Sequence, residues 1–185
     1  LIDRWDPDRV LEIMLEAGIG AGTGAPVFLA SLLYHPDFTD EHSDMIKQIG
    51  LGGAPVPVSL AETAASRGIL LIRAYGSTEH PSVTGCTFDQ PVDKRHSTDG
   101  RPLAGVEIRI VDEAKVDVEP GTAGEILSRG PDLCMGYTDT SLTAAMFDDE
   151  GWYQTGDMAV MDEEGFVTIT DRVADVIIRG GENIS

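Results

Sequence analysis

The first pattern in the chain is a group of apolar residues at helical spacing. Four of them share one helix face: Val10, Leu11, Met14 and Leu15. Asp6 and Pro7 precede the group, and this pair is typical of a helix start because Asp caps free backbone amides and Pro fits the first turn. Gly18 suits the end of such a helix. The pattern therefore predicts a helix from Pro7 to about Gly18.

The segment GIGAGTGAPVF comes next, and its glycines resemble a nucleotide-binding loop. Gly20, Gly22 and Ala25 imitate the spacing of the dinucleotide fingerprint, but that fingerprint follows a strand and this segment follows a helix. We therefore expect a flexible turn that leads into an apolar helix at residues 27–33. Nucleotide binding at this loop is the alternative.

Two short strands with a helix between them are predicted further along. Residues 45–55 (MIKQIGLGGAP) and 69–75 (ILLIRAY) contain the two apolar runs. Ser59 and Glu62 match a capping box for the intervening helix, and Gly68 suits its end. A strand, a helix and a strand within about thirty residues form a βαβ unit, whose two strands run parallel.

The carboxyl ends of parallel strands meet at one edge of a sheet, where open α/β sheets bind ligands. We therefore expect the loop at residues 52–55 and the loop at residues 75–79 to lie side by side. Gly52 and Gly53 would let the backbone approach a flat ligand, and the ring of Tyr75 would stack on its other face. The alternative for Tyr75 is an ordinary aromatic residue at a strand end.

The second of these loops also carries groups suited to phosphate and magnesium. Thr78 has a hydroxyl that can donate to a phosphate oxygen, and Glu79 has a hard carboxylate suited to a magnesium ion bound through phosphates. Taken alone, Glu79 is more often a solvated acid. The shared position at one sheet edge favours the functional interpretation.

Beyond Ser82 the pattern changes to short alternating strands separated by glycines, prolines and acids. The strands are indicated by GVEIRIVD, GEILSRG and DMAVMDEEGFVTITDR, with one short helix near residues 141–147. Alternation with short turns predicts antiparallel pairing. The expected fold class is therefore α/β, with a βαβ-containing parallel-sheet subdomain at residues 1–82 and a small antiparallel β subdomain at residues 83–171.

The last of these segments predicts a hairpin with its turn at residues 162–165. This turn would place Met161 opposite Phe166 and Asp157 opposite Thr170.

Asp157 and Arg172 would then lie at the same end of the hairpin. A carboxylate there can accept both hydroxyls of a ribose, and an arginine can reach ribose or phosphate. The alternative is a surface ion pair of Arg172 with Asp171 or Asp175, worth under about 1 kcal/mol.

Composition narrows the possible partners. Acidic residues outnumber basic residues by 32 to 13, and the formal charge of −19 disfavours nucleic acid and anionic membranes. No stretch approaches the ~20 apolar residues of a spanning helix, and no targeting leader is recognisable. Cys86 and Cys134 lack metal or redox spacing and suit a reducing compartment, so we expect a cytoplasmic location.

Other catalytic patterns are weaker. Ser77 lacks the nucleophile elbow GxSxG, and His80 is expected to be a loop residue rather than a general base, so hydrolysis is not expected. The histidines are too scattered in sequence for a metal motif, although folding could gather them: His35, His42, His80 and His96.

Five motifs in order resemble a known superfamily. GGAP, YGSTEH, GEILSRG with MGY, WYQTGD and DRVADVIIRGGEN occur as they do in adenylate-forming (AMP-binding) enzymes. That superfamily includes acyl-CoA synthetases, nonribosomal adenylation domains and firefly luciferase. The resemblance covers residues 26–185, and FDDEGWYQTGD and IIRGGENIS are most similar to fatty-acid-CoA ligases.

The resemblance implies roles for individual residues. It assigns Gly53, Ala54, Pro55 and Tyr75 to the adenine, Gly76 to the neighbourhood of the acyl carboxylate, Ser77 to the same cofactor-binding loop, Asp157 and Arg172 to the ribose, and Gly181 to the pantetheine tunnel. The catalytic residues it implies are Thr78 at the phosphate and Glu79 as the magnesium ligand. We also expect residues 27–34, Gly52 and Gly53 to line the acyl pocket.

The implied reaction is the activation of a carboxylic acid. The acid attacks the α-phosphate of ATP with Mg²⁺ bound, pyrophosphate leaves, and the thiol of coenzyme A takes the acyl group. The alternatives are an adenylation domain that loads a carrier protein, a luciferase-like oxidase and a non-catalytic nucleotide-binding module.

The resemblance also implies an internal fragment. The family's phosphate loop would precede Leu1 and its adenylating lysine would follow Ser185, so we expect the fragment alone to be inactive. Residues 172–185 would form the hinge and the start of a truncated C-terminal domain. Ala174 stands at the hinge position, where an acid or a lysine is usual.

Overall fold

The computed structural model of the protein describes residues 4–172, 177–179 and 182–184. The helices are α1 (Pro7–Ala17), α2 (Pro26–Leu33), α3 (Asp40–Met45), α4 (Val58–Ser66), α5 (Val92–Ser97) and α6 (Thr140–Met146). The strands are β1 (Ala21–Gly24), β2 (Gln48–Leu51), β3 (Leu70–Tyr75), β4 (Thr84–Gly85), β5 (Arg101–Pro102), β6 (Glu107–Val111), β7 (Ala123–Arg129), β8 (Tyr153–Met161), β9 (Val167–Arg172), β10 (Ile177–Arg179) and β11 (Glu182–Ile184).

The first helix begins and ends where its capping residues predict. The Asp6 side chain accepts a hydrogen bond from the Arg9 backbone N–H, and Pro7 occupies the first helical position. Gly18 follows the helix in the left-handed conformation, with φ +64°. Leu11 and Met14 are buried on the predicted apolar face.

The glycine-rich segment is a strand, so the prediction of a flexible turn is wrong. Residues 21–24 form β1, which pairs in parallel with β2 and leads directly into α2. Apart from Gly24, the strand residues are exposed, so little side-chain burial supports the strand. β1 forms because its backbone hydrogen-bonds to β2. Neither the β-propensity nor the hydrophobic periodicity of the segment indicates this pairing.

The βαβ unit is confirmed, although its helix does not use the predicted capping box. β2 and β3 pair in parallel with Leu51 opposite Arg73, and α4 connects them. The helix begins at Val58 after Pro57 and has no side-chain cap, so Ser59 already lies inside its first turn. Pro57 directly precedes the helix, so the helix starts two residues earlier than the predicted capping box of Ser59 and Glu62 requires.

The parallel strands belong to a five-stranded sheet in the order β1-β2-β3-β4-β5. β4 and β5 add to it in antiparallel orientation. The helices α2 and α4 pack against each other over this sheet. The buried core that joins them includes Leu29, Leu33, Leu51, Leu60 and Leu71.

The predicted antiparallel part is confirmed as a four-stranded sheet in the order β6-β7-β8-β9. A second core is formed by Val83, which precedes β4, together with inward residues of this sheet: Ile110, Ile126, Ala159 and Val167. The short helix predicted near residues 141–147 is α6.

The hairpin has a different register from the predicted one. Met161 pairs with Val167, because Gly165 adopts a positive φ of +81° and lengthens the turn by one residue. A bulge between Met158 and Ala159 adds a second one-residue shift. Asp157 therefore pairs with Arg172 instead of Thr170.

A buried ion pair ties the two sheets together. Arg73, on β3, donates through Nε and Nη2 to Asp99 Oδ1 at 3.1 and 2.9 Å. Asp99 Oδ2 accepts the backbone N–H of Ile169 at 2.9 Å, and the Asp99 N–H donates to the carbonyl of Val167 at 2.8 Å. Both charged side chains are almost fully buried.

Within the described part of the chain, no helix has the length and apolar character needed to cross a bilayer. Ala174 and Gly181, for which the resemblance implies a hinge and a pantetheine contact, lie outside the described residues. The predicted boundaries after residues 82 and 171 remain predictions.

Candidate nucleotide-binding site

The two predicted loops lie side by side at the carboxyl edge of the parallel strands. A Cβ added to Gly52 would lie 2.9 Å from the carbonyl oxygen of Ala74, so the first loop touches the end of β3. Gly53 follows with φ +73°, a conformation that favours glycine. Ala54 is half-buried and Pro55 is exposed. The close approach confirms the central geometric expectation from the sequence.

Tyr75 joins this edge to the antiparallel sheet. Its Oη donates a hydrogen bond of 2.6 Å to Oδ2 of Asp157. Burial raises the pKa of the Tyr75 phenol above its ordinary value, and the negative charge of Asp157 raises it further. The phenol therefore stays protonated and donates at neutral pH.

Asp157 holds a second partner on its other oxygen. Arg172 Nε lies 2.6 Å from Asp157 Oδ1 in an ion pair, and the Asp157 side chain is 4% exposed against 37% for Arg172. The expected proximity of these two residues is confirmed. The alternative pair with Asp171 does not form between side chains, since Asp171 accepts the backbone N–H of Arg172 instead. Asp175 lies outside the described residues.

The carboxylate of Asp157 is almost fully buried, but it has hydrogen-bonding capacity beyond these two partners. Each of its oxygens can accept more than one hydrogen bond, so Tyr75 and Arg172 leave acceptor positions free. The positive Arg172 head is exposed next to it. The carboxylate of Asp157 suits a diol, and the guanidinium of Arg172 suits a neighbouring anionic group of the same ligand.

Glu79 is held by a phenol from the loop between β7 and α6. Tyr137 Oη donates to Glu79 Oε1 at 2.8 Å. Burial alone would raise the pKa of the Glu79 carboxyl, but hydrogen bonds from Tyr137, from the backbone amide of Glu79 and from Ser77 outweigh it and hold the pKa below its ordinary value. Glu79 is therefore ionised at neutral pH and able to bind a cation.

The loop between Tyr75 and Glu79 closes tightly on itself. A Cβ on Gly76 would lie 2.1 Å from the carbonyl oxygen of Pro81, so a side chain cannot be accommodated there. Ser77 N–H donates to the His80 carbonyl at 3.0 Å, and Ser77 Oγ accepts the His80 N–H at 3.2 Å. Thr78 is exposed at the tip of this turn.

His80 has a structural role that the sequence did not indicate. Its ring is fully buried, with Nδ1 hydrogen-bonded to Ser128 Oγ at 2.8 Å and Nε2 lying 3.1 Å from Asp132 Oδ1. Burial lowers the pKa of His80, although Asp132 opposes the shift. Ser128 is fully buried as well. The buried His80 and Ser128 therefore hold the turn against the antiparallel sheet.

Folding brings one scattered histidine next to two acids. His35 Nε2 lies 3.2 Å from Asp8 Oδ1, and the backbone N–H of Asp37 donates to His35 Nδ1 at 3.2 Å. The three side chains form a group of possible metal ligands. Nδ1 already accepts a hydrogen bond and Nε2 already lies against Asp8, so local turn and helix contacts account for the group.

An apolar cleft lies on the helix side of the first loop, between α2 and α4. Its volume is about 440 Å³. The lining residues are Ala25, Pro26, Val27, Ala30, Tyr34, Ala54, Pro55, Pro57, Ser59 and Leu60. The predicted acyl-pocket segment at residues 27–34 thus contributes to the lining, whereas Gly52 and Gly53 are not among the lining residues. The binding of an acyl group there stays a prediction.

The chain matches known proteins along its whole length. A sequence model of the AMP-binding enzyme family matches residues 1–138. The chain is 40% identical over 186 residues to a medium-chain fatty-acid–CoA ligase of Escherichia coli, covering 100% of the chain and 33% of the relative. It is 34% identical to a medium/long-chain fatty-acid–CoA ligase of Mycobacterium tuberculosis, with the same coverage.

Solved structures agree with these matches. An o-succinylbenzoate coenzyme A synthetase of Bacillus subtilis in complex with AMP superposes with a TM-score of 0.82 at 33% identity, covering 99% of this chain and 37% of that one. ATP-bound MatB of Rhodopseudomonas palustris gives a TM-score of 0.85 at 30% identity, covering 100% and 36%. The chain spans about a third of the length of its curated relatives. It belongs to the AMP-binding enzyme family.

Proposed function

We propose that this chain supplies the nucleotide-binding centre of an ATP-dependent acyl-CoA ligase that acts on a fatty acid. The observation that carries the proposal is the continuous row formed by the loop at residues 52–55, Tyr75, Asp157 and Arg172 at one edge of the fold. The acid, ATP and coenzyme A are the proposed substrates. We also propose that the protein is located in the cytoplasm.

The row offers groups suited to the purine, the ribose and the phosphate of a nucleotide. The backbone of residues 53–55 and the ring of Tyr75 can enclose a purine. Asp157 accepts hydrogen bonds and suits the two ribose hydroxyls, while the exposed head of Arg172 suits ribose or phosphate. Thr78 is exposed in the neighbouring turn and can donate to a phosphate oxygen.

Glu79 fits the requirements of a magnesium ligand. It offers a hard oxygen, its lowered pKa keeps it ionised, and Oε2 is not used by Tyr137. Magnesium is commonly bound through one or two carboxylates together with substrate phosphates. When bound, the ion neutralises charge on the phosphates and so favours pyrophosphate as the leaving group.

The names of the relatives support the substrate class. Relatives that match the chain over all of its length are described as medium-chain and medium/long-chain fatty-acid–CoA ligases. Similar structures contain AMP or ATP. These names motivate fatty acids as the first substrates to test.

The test is acid-dependent exchange of pyrophosphate into ATP by the complete protein, followed by formation of acyl-CoA. We expect exchange with a medium-chain fatty acid and a loss of about a hundredfold in the Glu79→Gln variant. Glu62, an exposed acid on α4, provides the matched control, and Glu62→Gln should exchange like the wild type. Wild-type protein that exchanges nothing with any carboxylic acid would refute the proposal.

The same experiment separates the alternatives. Acyl transfer to a phosphopantetheine carrier protein but not to free coenzyme A would indicate an adenylation domain. Acid-dependent consumption of oxygen would indicate a luciferase-like oxidase. Binding of ATP without pyrophosphate exchange would indicate a non-catalytic nucleotide-binding module.

A further inference from the structure

One loop of the antiparallel sheet surrounds the turn that carries Glu79. We call residues 130–137, between β7 and α6, the cradle loop. Its Cys134 N–H donates to the Glu79 carbonyl at 2.7 Å. A Cβ on Gly130 would lie 2.9 Å from His80 Nε2, so the loop contacts the turn at two adjacent residues. The cradle loop therefore fixes the backbone on which the Glu79 side chain stands.

The last residue of the cradle loop reaches the carboxylate itself. Tyr137 Oη donates to Glu79 Oε1 at 2.8 Å. The phenol is an uncharged donor. It orders one oxygen without bringing a positive charge that would compete with a cation.

Tyr137 is itself anchored to α6. Its backbone N–H donates to Thr143 Oγ1 at 2.8 Å. A Cβ on Gly136 would lie 2.8 Å from the Thr143 side chain, so the cradle loop and the helix pack without room for a larger residue. The phenol is thus presented from a fixed backbone, which is the property required of a group that orients another side chain.

We propose that Tyr137 is a positioning residue that orients the Glu79 carboxylate for the divalent cation of the nucleotide. The proposal rests on the function proposed above and adds a residue to it. Because Tyr137 already orients the carboxylate, the Glu79 side chain loses less conformational entropy when it binds a cation. Groups that hydrogen-bond to a metal ligand in this way change metal affinity by about 10- to 100-fold when they are removed.

The test is Mn²⁺ binding to the complete protein in the presence of a non-hydrolysable ATP analogue, followed by electron paramagnetic resonance. Tyr137→Phe should weaken Mn²⁺ binding about tenfold. In the exchange assay, the same variant should raise the KM for Mg²⁺ and recover most of its kcat at saturating Mg²⁺. Ser97, which is exposed on α5, gives the control for loss of a hydroxyl: Ser97→Ala should bind Mn²⁺ like the wild type.

A second variant covers the case in which Tyr137→Phe does not fold, which a thermal melt will reveal. Thr143→Val keeps the phenol but removes the acceptor for the Tyr137 N–H, and we expect a smaller weakening of Mn²⁺ binding in the same direction. Unchanged Mn²⁺ affinity in folded Tyr137→Phe, or in Thr143→Val where the first variant is unfolded, overturns the role of Tyr137. Wild-type protein that binds neither the analogue nor Mn²⁺ overturns the proposed function instead.

Discussion

Tyr75 and Asp157 are 82 positions apart in the sequence, and a hydrogen bond of 2.6 Å joins their side chains. Tyr75 ends the parallel strand β3, and Asp157 lies on β8 of the antiparallel sheet. The ring proposed to contact the adenine therefore holds the acid proposed to contact the ribose. A nucleotide bound to both would lie across the junction of the two sheets.

This hydrogen bond leads to a prediction for Tyr75→Phe. The variant keeps the ring but loses the donor to Asp157, so we expect the KM for ATP to rise about tenfold while the KM for the fatty acid stays unchanged. Steady-state kinetics of the complete protein measure both constants. Ser97→Ala removes an exposed hydroxyl on α5, away from the proposed site, and serves as the control. Equal increases in both constants would contradict a specific role at the nucleotide.

The contact between the two loops leads to a prediction for Gly52→Ala. The added methyl group would lie 2.9 Å from the Ala74 carbonyl oxygen and would push the loops apart. We expect the KM for ATP to rise about tenfold, because small displacements of binding groups are costly. Gly22 is the matched control, since no atom lies within 4 Å of a Cβ there. Similar kinetics for Gly22→Ala and Gly52→Ala would contradict the prediction.

Gly53 is a less suitable position for the same experiment. Its φ of +73° strains any other residue by roughly 1–2 kcal/mol, whether or not a ligand is present. A bulky replacement such as Gly53→Trp therefore combines loop strain with obstruction of the site. Gly52 separates these effects better, because a specific contact and not a positive φ excludes its side chain.

Much of the fold follows from local sequence patterns. The caps of α1, the parallel pair β2 and β3, and the antiparallel strands were predicted because each depends on nearby residues or on periodicity. β1 was missed because its alternating glycines carry almost no propensity, and pairing with β2 supplies its order. Local sequence patterns thus predict individual helices and strands better than they predict which strands pair.

The geometry of the candidate site could likewise be predicted only in part. The positions of Tyr75 and Glu79 at the sheet edge could be predicted because Tyr75 ends a recognisable strand and Glu79 follows it. The pairing of Asp157 with Arg172 was expected only as proximity, since the left-handed Gly165 and the bulge before Ala159 each shift the register by one residue. The partner of Glu79 was not foreseen: Tyr137 stands 58 positions away, in a motif whose sequence does not indicate its contact.

The ion pair between the sheets leads to a prediction about stability. Arg73→Met would leave Asp99 charged and buried without its partner, which costs about 3–5 kcal/mol of unfolding free energy. Denaturant unfolding followed by circular dichroism measures the loss. Arg73→Met combined with Asp99→Asn should lose less than the sum of the two single variants, because the two side chains share one interaction. Additive losses would show that the pair contributes no coupling.

Ser128→Ala tests whether the buried histidine holds the nucleotide loop. The change removes the Oγ that lies 2.8 Å from His80 Nδ1 and leaves a buried ring nitrogen without a partner, which costs about 1–3 kcal/mol. His80 adjoins Glu79 and hydrogen-bonds to Ser77, so hydrogen exchange should increase in residues 76–81 more than in the strands β2 and β3. Ser97 lies on the exposed face of α5, and Ser97→Ala is the control for loss of a hydroxyl. Equal exchange throughout the sheet would indicate global destabilisation and contradict a local role for His80.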